Sequence, residues 1–397
     1  EGTRLFVEMD LGIPGPHYFM IDTGSTVSTL RHDIAAEMNL KLEEQNGYLL
    51  GVSGRSPWVE TTVPTVQIGQ HQLENVDFAV GVQGIPQSIG LVPIAGIVGN
   101  NILDDFIVDI DYGKGELHLY DEYTLPDTAQ SIQYDGQHIL AQTYLWYSEK
   151  GIQSVLGNID TGSSGLLLNS NDVPQLKEHA NEAKQSIMGV GAQNNNPSNH
   201  VRSVLETPIQ KVEFGGLTQE GEYSSVLYTP APTQHFYSLI GYSLLEGNRL
   251  LIDYAGKKLA LLPSSTLQTP RNIHRHYLDT LLWSGQTIDP MEIINLHFFL
   301  EEDGMAVRKL QRLHRRSPLP EYTIALADHY IRNANIEQAT TLLEELDAKT
   351  LLEYKHWGIL LLALSQSGQI DSAIAQSKAL SLEEPKSIEN WLILSDL

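Results

Sequence analysis

An internal duplication constrains this chain more than any other feature. Ile21-Asp22-Thr23-Gly24-Ser25 recurs as Ile159-Asp160-Thr161-Gly162-Ser163, 138 residues later. Gly51-Val52 recurs at the same offset as Gly189-Val190. Ile97-Val98-Gly99 returns as Leu239-Ile240-Gly241, and Ile110-Asp111-Tyr112 as Ile252-Asp253-Tyr254, both at offset 142. Such a repeat predicts two copies of one small domain related by a pseudo-two-fold axis. The change of offset implies a net insertion of four residues between Gly189 and Gly241. The polar stretch 192–202, with Asn194-Asn195-Asn196-Pro197, is its expected place and reads as a loop.

Both copies have β texture. Short runs rich in Val, Ile, Leu, Tyr and Thr, at 4–11, 62–68, 76–82, 106–110 and 116–120, are punctuated by Gly, Pro, Asn and Asp. From about residue 270 the pattern changes to long amphipathic stretches with apolar residues three and four apart. The segment 263–270, bounded by two prolines, has linker composition. We therefore expect lobes over 1–122 and 123–265 and an all-α domain over 266–397. The helical part has a period of 34, mapping Leu326, Ile336 and Ala339 onto Leu360, Ile370 and Ala373. With Trp357, Gly368 and Pro385, the unit at 354–387 resembles a tetratricopeptide repeat, which implies a helical-repeat solenoid able to bind a protein partner.

Each Asp-Thr-Gly-Ser follows an apolar strand, so it predicts a tight turn with a carboxylate at its tip. Packing about the pseudo-two-fold axis brings Asp22 and Asp160 together. Two carboxylates within hydrogen-bonding distance share one proton and titrate as a pair. One then acts as base toward a water that attacks a carbonyl, and the other donates to the carbonyl oxygen. Pseudo-symmetry leaves open which Asp holds the proton.

Together, Asp-Thr-Gly, the later apolar-apolar-Gly and the Ile-Asp-Tyr before a final strand resemble the retropepsin-like aspartic protease domain, here duplicated in one chain. The resemblance implies a double-lobed acid-protease barrel, pepsin-like in joining both lobes, with an intramolecular dyad in a monomeric protease part. It implies that Asp22 and Asp160 are catalytic, with Thr23, Gly24, Ser25, Thr161, Gly162 and Ser163 supporting them. Gly51 and Gly54 in one copy, and Gly189 and Gly191 in the other, would be flap tips. The terminal Ser of each motif matches pepsins; hydroxyl bonds from Ser25 and Ser163 to the carboxylates would favour ionisation and an acidic pH optimum. No flap tyrosine of the pepsin type stands out, although Tyr48 and Trp58 flank the first flap.

Composition removes competing classes. The chain has 25 Lys and Arg against 49 Asp and Glu, a formal charge of −24 that disfavours nucleic acid and anionic lipid. With no cysteine, thiol catalysis and Cys-ligated metal are excluded. No cofactor and no metal site is expected, because the dyad needs neither. No apolar run reaches the ~20 residues of a membrane span. Glu1 rather than Met opens the chain, in keeping with a removed leader, and an acid-tuned protease is easier to tolerate outside the cytoplasm; an exported, periplasmic or extracellular, protein is expected. His274 and His276, too close in sequence to share a helical face, read as solvated. Asp104, Asp105, Asp109 and Asp111 read as turn caps and edge cover, and the cluster Arg308, Lys309, Arg312, Arg315 and Arg316 as a solvated face. The expectation is an aspartic endopeptidase acting on peptide or protein substrates. Its alternative is an inactive peptide-binding scaffold that works through the helical repeats.

Overall fold

The computed structural model describes residues 4–43, 45–186, 201–228, 237–265, 273–283, 288–346 and 350, with isolated positions beyond. The first copy contains β1 (Phe6–Asp10), β2 (His17–Ile21), β3 (Thr29–Leu30), α1 (His32–Glu37), β4 (Gln45–Gly51), β5 (Gly54–Ile68) and β6 (His71–Val80). It continues through β7 (Ser88–Ile89), β8 (Val92–Val98), α2 (Asn100–Leu103), β9 (Ile107–Asp111) and β10 (Glu116–Tyr120). The second contains β11 (Gln130–Ser131), β12 (Gln133–Tyr134), β13 (Ile139–Trp146), β14 (Ile152–Ile159), β15 (Leu166–Asn169), α3 (Pro174–Lys177) and β16 (Asn181–Ser186). Then come β17 (Val201–Phe214), β18 (Leu217–Tyr228), β19 (Ser238–Ile240), α4 (Tyr242–Leu245), β20 (Asn248–Asp253) and β21 (Lys258–Pro263).

Six strands of the first copy close a ring in the order β1-β2-β8-β3-β6-β5, with β5 returning to β1. Six strands of the second close an equivalent ring, β13-β14-β19-β15-β18-β17, with β17 returning to β13. Closure pairs strand edges that would otherwise stand open. Alternation builds the inside: in β5, Thr61, Val63, Val66 and Ile68 are buried while Thr62, Pro64 and Gln67 face out. In both rings the strand before the duplicated motif runs parallel to the strand of the apolar-apolar-Gly, β2 beside β8 and β14 beside β19. That pairing carries both motifs to the same end of each ring.

A third sheet, β10-β9-β20-β21-β11, joins the copies through the antiparallel pair β9–β20. Those two strands end on the Ile-Asp of each duplicated segment, and Val108, Ile110, Leu250 and Ile252 are fully buried there, in a core continuous with both rings. Here the expected role of Asp109 is corrected. Asp109 is fully buried rather than at an edge, and Arg249 donates to it through Nε at 2.7 Å and Nη2 at 2.6 Å. Asp111, also buried, accepts from Lys114 N and Ser264 Oγ.

The first compact unit extends to Tyr277, inside α5 (Ile273–Trp283), and the second begins at Leu278. His276 Nε2 lies 3.1 Å from Glu8 Oε2, and the Tyr18 ring meets His276 and Tyr277 edge-on. His274 is 5% exposed, so the expectation that it is solvated is corrected, whereas His276 keeps 42% of its side chain exposed. The second unit contains α6 (Pro290–Phe299), α7 (Asp303–Arg316), α8 (Pro320–Arg332) and α9 (Ile336–Leu343). Asp289 caps α6 by accepting from Met291 N, with Pro290 in the first turn. Ile294, Ala306, Leu310, Tyr322 and Leu326 form the core of α6, α7 and α8. α8 and α9 lie in the stretch that begins at Pro320; within 354–387 only isolated positions are described, and Trp357, Leu360, Gly368, Ala373 and Pro385 are not among them. Arg308, Arg312, Arg315 and Arg316 of α7 are exposed. Among the described residues no helix is long and apolar enough to cross a membrane.

Candidate active site

Ile21 and Ile159 end their strands fully inside the core, and the chain turns immediately after each. Asp22 N donates to Val98 O and Asp160 N to Ile240 O, both at 3.0 Å, so the apolar-apolar-Gly strands fix where the turns begin. Gly24 N then donates to Asp22 Oδ1 and Gly162 N to Asp160 Oδ1, both at 2.9 Å. These bonds hold each carboxylate over its own turn.

The turns meet across the pseudo-two-fold axis. Thr23 N donates to Thr161 Oγ1 at 3.0 Å and Thr161 N to Thr23 Oγ1 at 3.1 Å. Each hydroxyl donates onward into the opposite copy, Thr23 to Ile159 O at 2.7 Å and Thr161 to Ile21 O at 2.8 Å. Both threonines are buried, at 0% and 1% exposure, so every polar atom of the bridge needs the partner it has.

This bridge brings the two carboxyl groups together, each lying against the turn glycine of the other copy. Burial raises the pKa of both, and the negative charge of Asp22 raises Asp160 further. The glycines make the approach feasible. A β-carbon on Gly24 would sit 2.7 Å from both carboxylate oxygens of Asp160, and one on Gly162 would sit 2.6 and 2.7 Å from those of Asp22. Gly99 and Gly241 press against the backs of the turns, where a β-carbon would meet Ser25 O at 2.9 Å or Ser163 O at 2.5 Å.

One expectation fails in its atoms. Ser25 Oγ donates to Val27 O at 2.9 Å and Ser163 Oγ to Gly165 O at 3.2 Å, so neither hydroxyl is spent on a carboxylate. Backbone N–H groups do that work instead, including Ser163 N to Asp160 Oδ1 at 3.0 Å. The downward pull on the working pH expected from those hydroxyls is therefore missing.

Gly51 and Gly54 pair at the tip of the β4–β5 hairpin, around Val52 and Ser53. Gly54 has φ of +135°, a conformation that favours glycine. Tyr48 on this hairpin is 54% exposed, with the Arg55 guanidinium 5.0 Å from its ring centre. At the hairpin base, buried Ser56 Oγ accepts from Gln83 N at 2.8 Å, tying the hairpin to the loop after β6. That loop and residues 29–33 line a cavity of about 810 Å³; neither Asp22 nor Asp160 is on its wall. The second hairpin pairs β16 with β17; Gly189, Gly191 and residues 192–200 of the expected insertion lie outside the described residues, while Val201 and Arg202, expected in the loop, begin β17.

Three residues around the site were given no role of their own from the sequence. Asn100, fully buried, donates through Nδ2 to Thr23 O and to Gln137 O, and accepts from Tyr254 Oη at 3.0 Å. Arg4 Nε donates to Gly162 O at 3.2 Å. Tyr112 is buried with its ring against Tyr242, and its hydroxyl is close enough to Asp160 for that charge to help raise its pKa after burial and Tyr242. Comparing the copies would have found Asn100, because its counterpart at offset 142 is Tyr242. Among the described residues no cluster of three or more His, Asp and Glu side chains has a metal-binding arrangement.

Residues 12–102, close to a quarter of the chain, match the family model described as "Aspartyl protease". Asp22, the β4–β5 hairpin and Ile97-Val98-Gly99 all fall within that span. No curated protein matches the chain. Among solved structures, the aspartic proteinase from Irpex lacteus aligns at 14% identity with a TM-score of 0.42, covering 68% of this chain and 96% of that one.

Proposed function

We propose that the β unit is an aspartic endopeptidase whose Asp22 and Asp160 share one proton and activate a water. The observation that carries this reading is the carboxyl pair itself, two buried carboxyls each lying against the other copy's turn glycine beside the Thr23–Thr161 bridge. The family match over residues 12–102 supports it from an independent direction.

In this reading the ionised carboxylate removes a proton from water as its oxygen bonds to the peptide carbonyl carbon. The protonated carboxyl gives its proton to the carbonyl oxygen, so the tetrahedral intermediate forms without net charge. Collapse moves the first proton to the amide nitrogen and returns the second from a hydroxyl of the intermediate, as the C–N bond breaks. Burial raises both carboxyls, so the singly protonated pair spans a window above the ordinary carboxylate range, and activity should be bell-shaped in pH. The β4–β5 hairpin, with exposed Tyr48 and Leu50, would close over an extended substrate. We assign the described helices α6 to α9 the role of holding a protein partner or substrate.

The test is cleavage of an unfolded protein and a mixed peptide library between about pH 3 and pH 8. We expect cleavage by the wild type and its loss in Asp22→Asn and in Asp160→Asn. A folded wild type that binds peptides but cuts none would replace this reading with that of a scaffold.

A further inference from the structure

The pseudo-symmetry that builds the pair is broken by one cation. Strand register identifies where. Phe6 pairs with Met20 and Leu140 with Asn158, and Met20 and Asn158 both stand two residues before their Asp. Two residues before Phe6 is Arg4; two before Leu140 is His138. These counterparts do different things. Arg4 reaches across the axis and donates to Gly162 O. His138 stays with its own copy, 3.6 Å from Asp135 Oδ2 and against the Tyr237 ring.

Gly162 is the residue whose missing β-carbon makes room for the Asp22 carboxyl. Gly162 also donates its N–H to Asp160, so a guanidinium fixed on Gly162 O stands beside the pair, where its charge acts on Asp22. Gly24, the matching residue beside Asp160, has no side-chain cation on its carbonyl in any described hydrogen bond. We propose that Arg4 makes the pair asymmetric, holding Asp22 as the ionised base and leaving the shared proton on Asp160.

The surroundings agree with this assignment. Facing Asp22 are Asp160, the N–H groups of Gly24 and Ser25, and Arg4, two residues before β1, whose positive charge favours the carboxylate. Facing Asp160 are Asp22, the N–H groups of Gly162 and Ser163, and the Tyr112 hydroxyl that follows β9. Asp22 as its neighbour opposes the ionisation of Asp160. Arg4 is a positioning residue, since it touches neither carboxyl directly in a described hydrogen bond. The proposal rests on the protease reading for its catalytic meaning but not for its measurement.

The experiment is a carboxyl-carbon NMR titration of protein labelled at aspartate, with the two resonances assigned by Asp22→Asn and Asp160→Asn. It is run on the wild type, Arg4→Met and Arg4→Lys, beside their pH–rate profiles. Asp22 is expected to ionise at lower pH than Asp160 in the wild type. Arg4→Met should move the Asp22 midpoint, and the acid limb of kcat/KM, upward by about half a pH unit or more. Arg4→Lys, which keeps the charge, should stay near the wild type, whereas a merely structural loss would affect both variants alike. Ionisation of Asp160 first, or an Asp22 midpoint indifferent to Arg4→Met, would overturn the assignment. The titration needs no turnover, so a wild type that cleaves nothing would remove the protease reading and leave the proton assignment judged on its own.

Discussion

Thr23 and Thr161 each donate a backbone N–H to the other's hydroxyl, at 3.0 and 3.1 Å, and pass the hydroxyl proton on to a carbonyl of the opposite copy. A single side-chain type at one duplicated position thus satisfies four buried polar groups and sets the separation of the carboxylates that flank it. Thr23→Val keeps the shape and removes the hydroxyl, leaving Thr161 N and Ile159 O without their partner. We expect a loss of about 1–3 kcal/mol, read by denaturant unfolding, with Thr161→Val equivalent. The double variant should lose less than the sum, because the two residues form one network.

Gly24→Ala puts a methyl group against the Asp160 carboxyl, and Gly162→Ala does the same to Asp22. Either carboxyl must move. Kinetic assays should find kcat reduced about 100-fold or more, the scale of a misplacement of roughly 1 Å at a reacting group. Circular dichroism should still report both β rings, since the ladders that close them lie elsewhere.

The Arg249–Asp109 pair clamps β20 to β9 between the two copies. Arg249→Met strands a fully buried carboxylate. We expect a cost of about 3 kcal/mol, at the low end for breaking a buried pair because Arg249 keeps some contact with solvent. Arg249→Met combined with Asp109→Leu should recover much of that loss, which thermal melts of the three variants would test.

Asp160 should make the β unit less stable as pH rises. A carboxyl raised on folding holds its proton more tightly in the folded chain, so its contribution is full below the unfolded value of 3.8 and is lost as pH climbs through the folded value. Asp160→Asn removes this dependence. Its melting temperature should exceed that of the wild type at pH 7, by about 2–4 °C per kcal/mol released, and the gap should narrow toward pH 4. Equal gaps at both values would contradict the raised carboxyl.

Much of this arrangement is legible in the chain before any coordinates are seen, and the reason is duplication. Asp22 and Asp160 stand out because the same five residues recur with the same flanks, and two copies of one fold bring equivalent loops together on an axis. What lay hidden is what the copies do not share. Asn100 answers to Tyr242, and Arg4 to a His138 displaced by four residues, because the β13–β14 hairpin is four residues longer than the β1–β2 hairpin between equivalent pairs. Strand register is needed to align them. The serine hydroxyls misled because donor capacity does not fix direction: the turn aims Ser25 at Val27 O, and backbone N–H groups reach the carboxylates first. His274 reads as solvated because a local helical pattern says nothing of the tertiary packing that buries it.

The central claim is that one pair of carboxyls, acting as a unit, hydrolyses peptide bonds. Its most direct measurement is kcat/KM on one cleaved peptide for the wild type, Asp22→Asn, Asp160→Asn and the double variant, at the wild type's optimal pH. Residues that act as a unit are not additive. The account predicts that each single change costs about 10³-fold or more and that the double variant falls no further. Substantial activity in either single variant, or losses that multiply in the double, would contradict it.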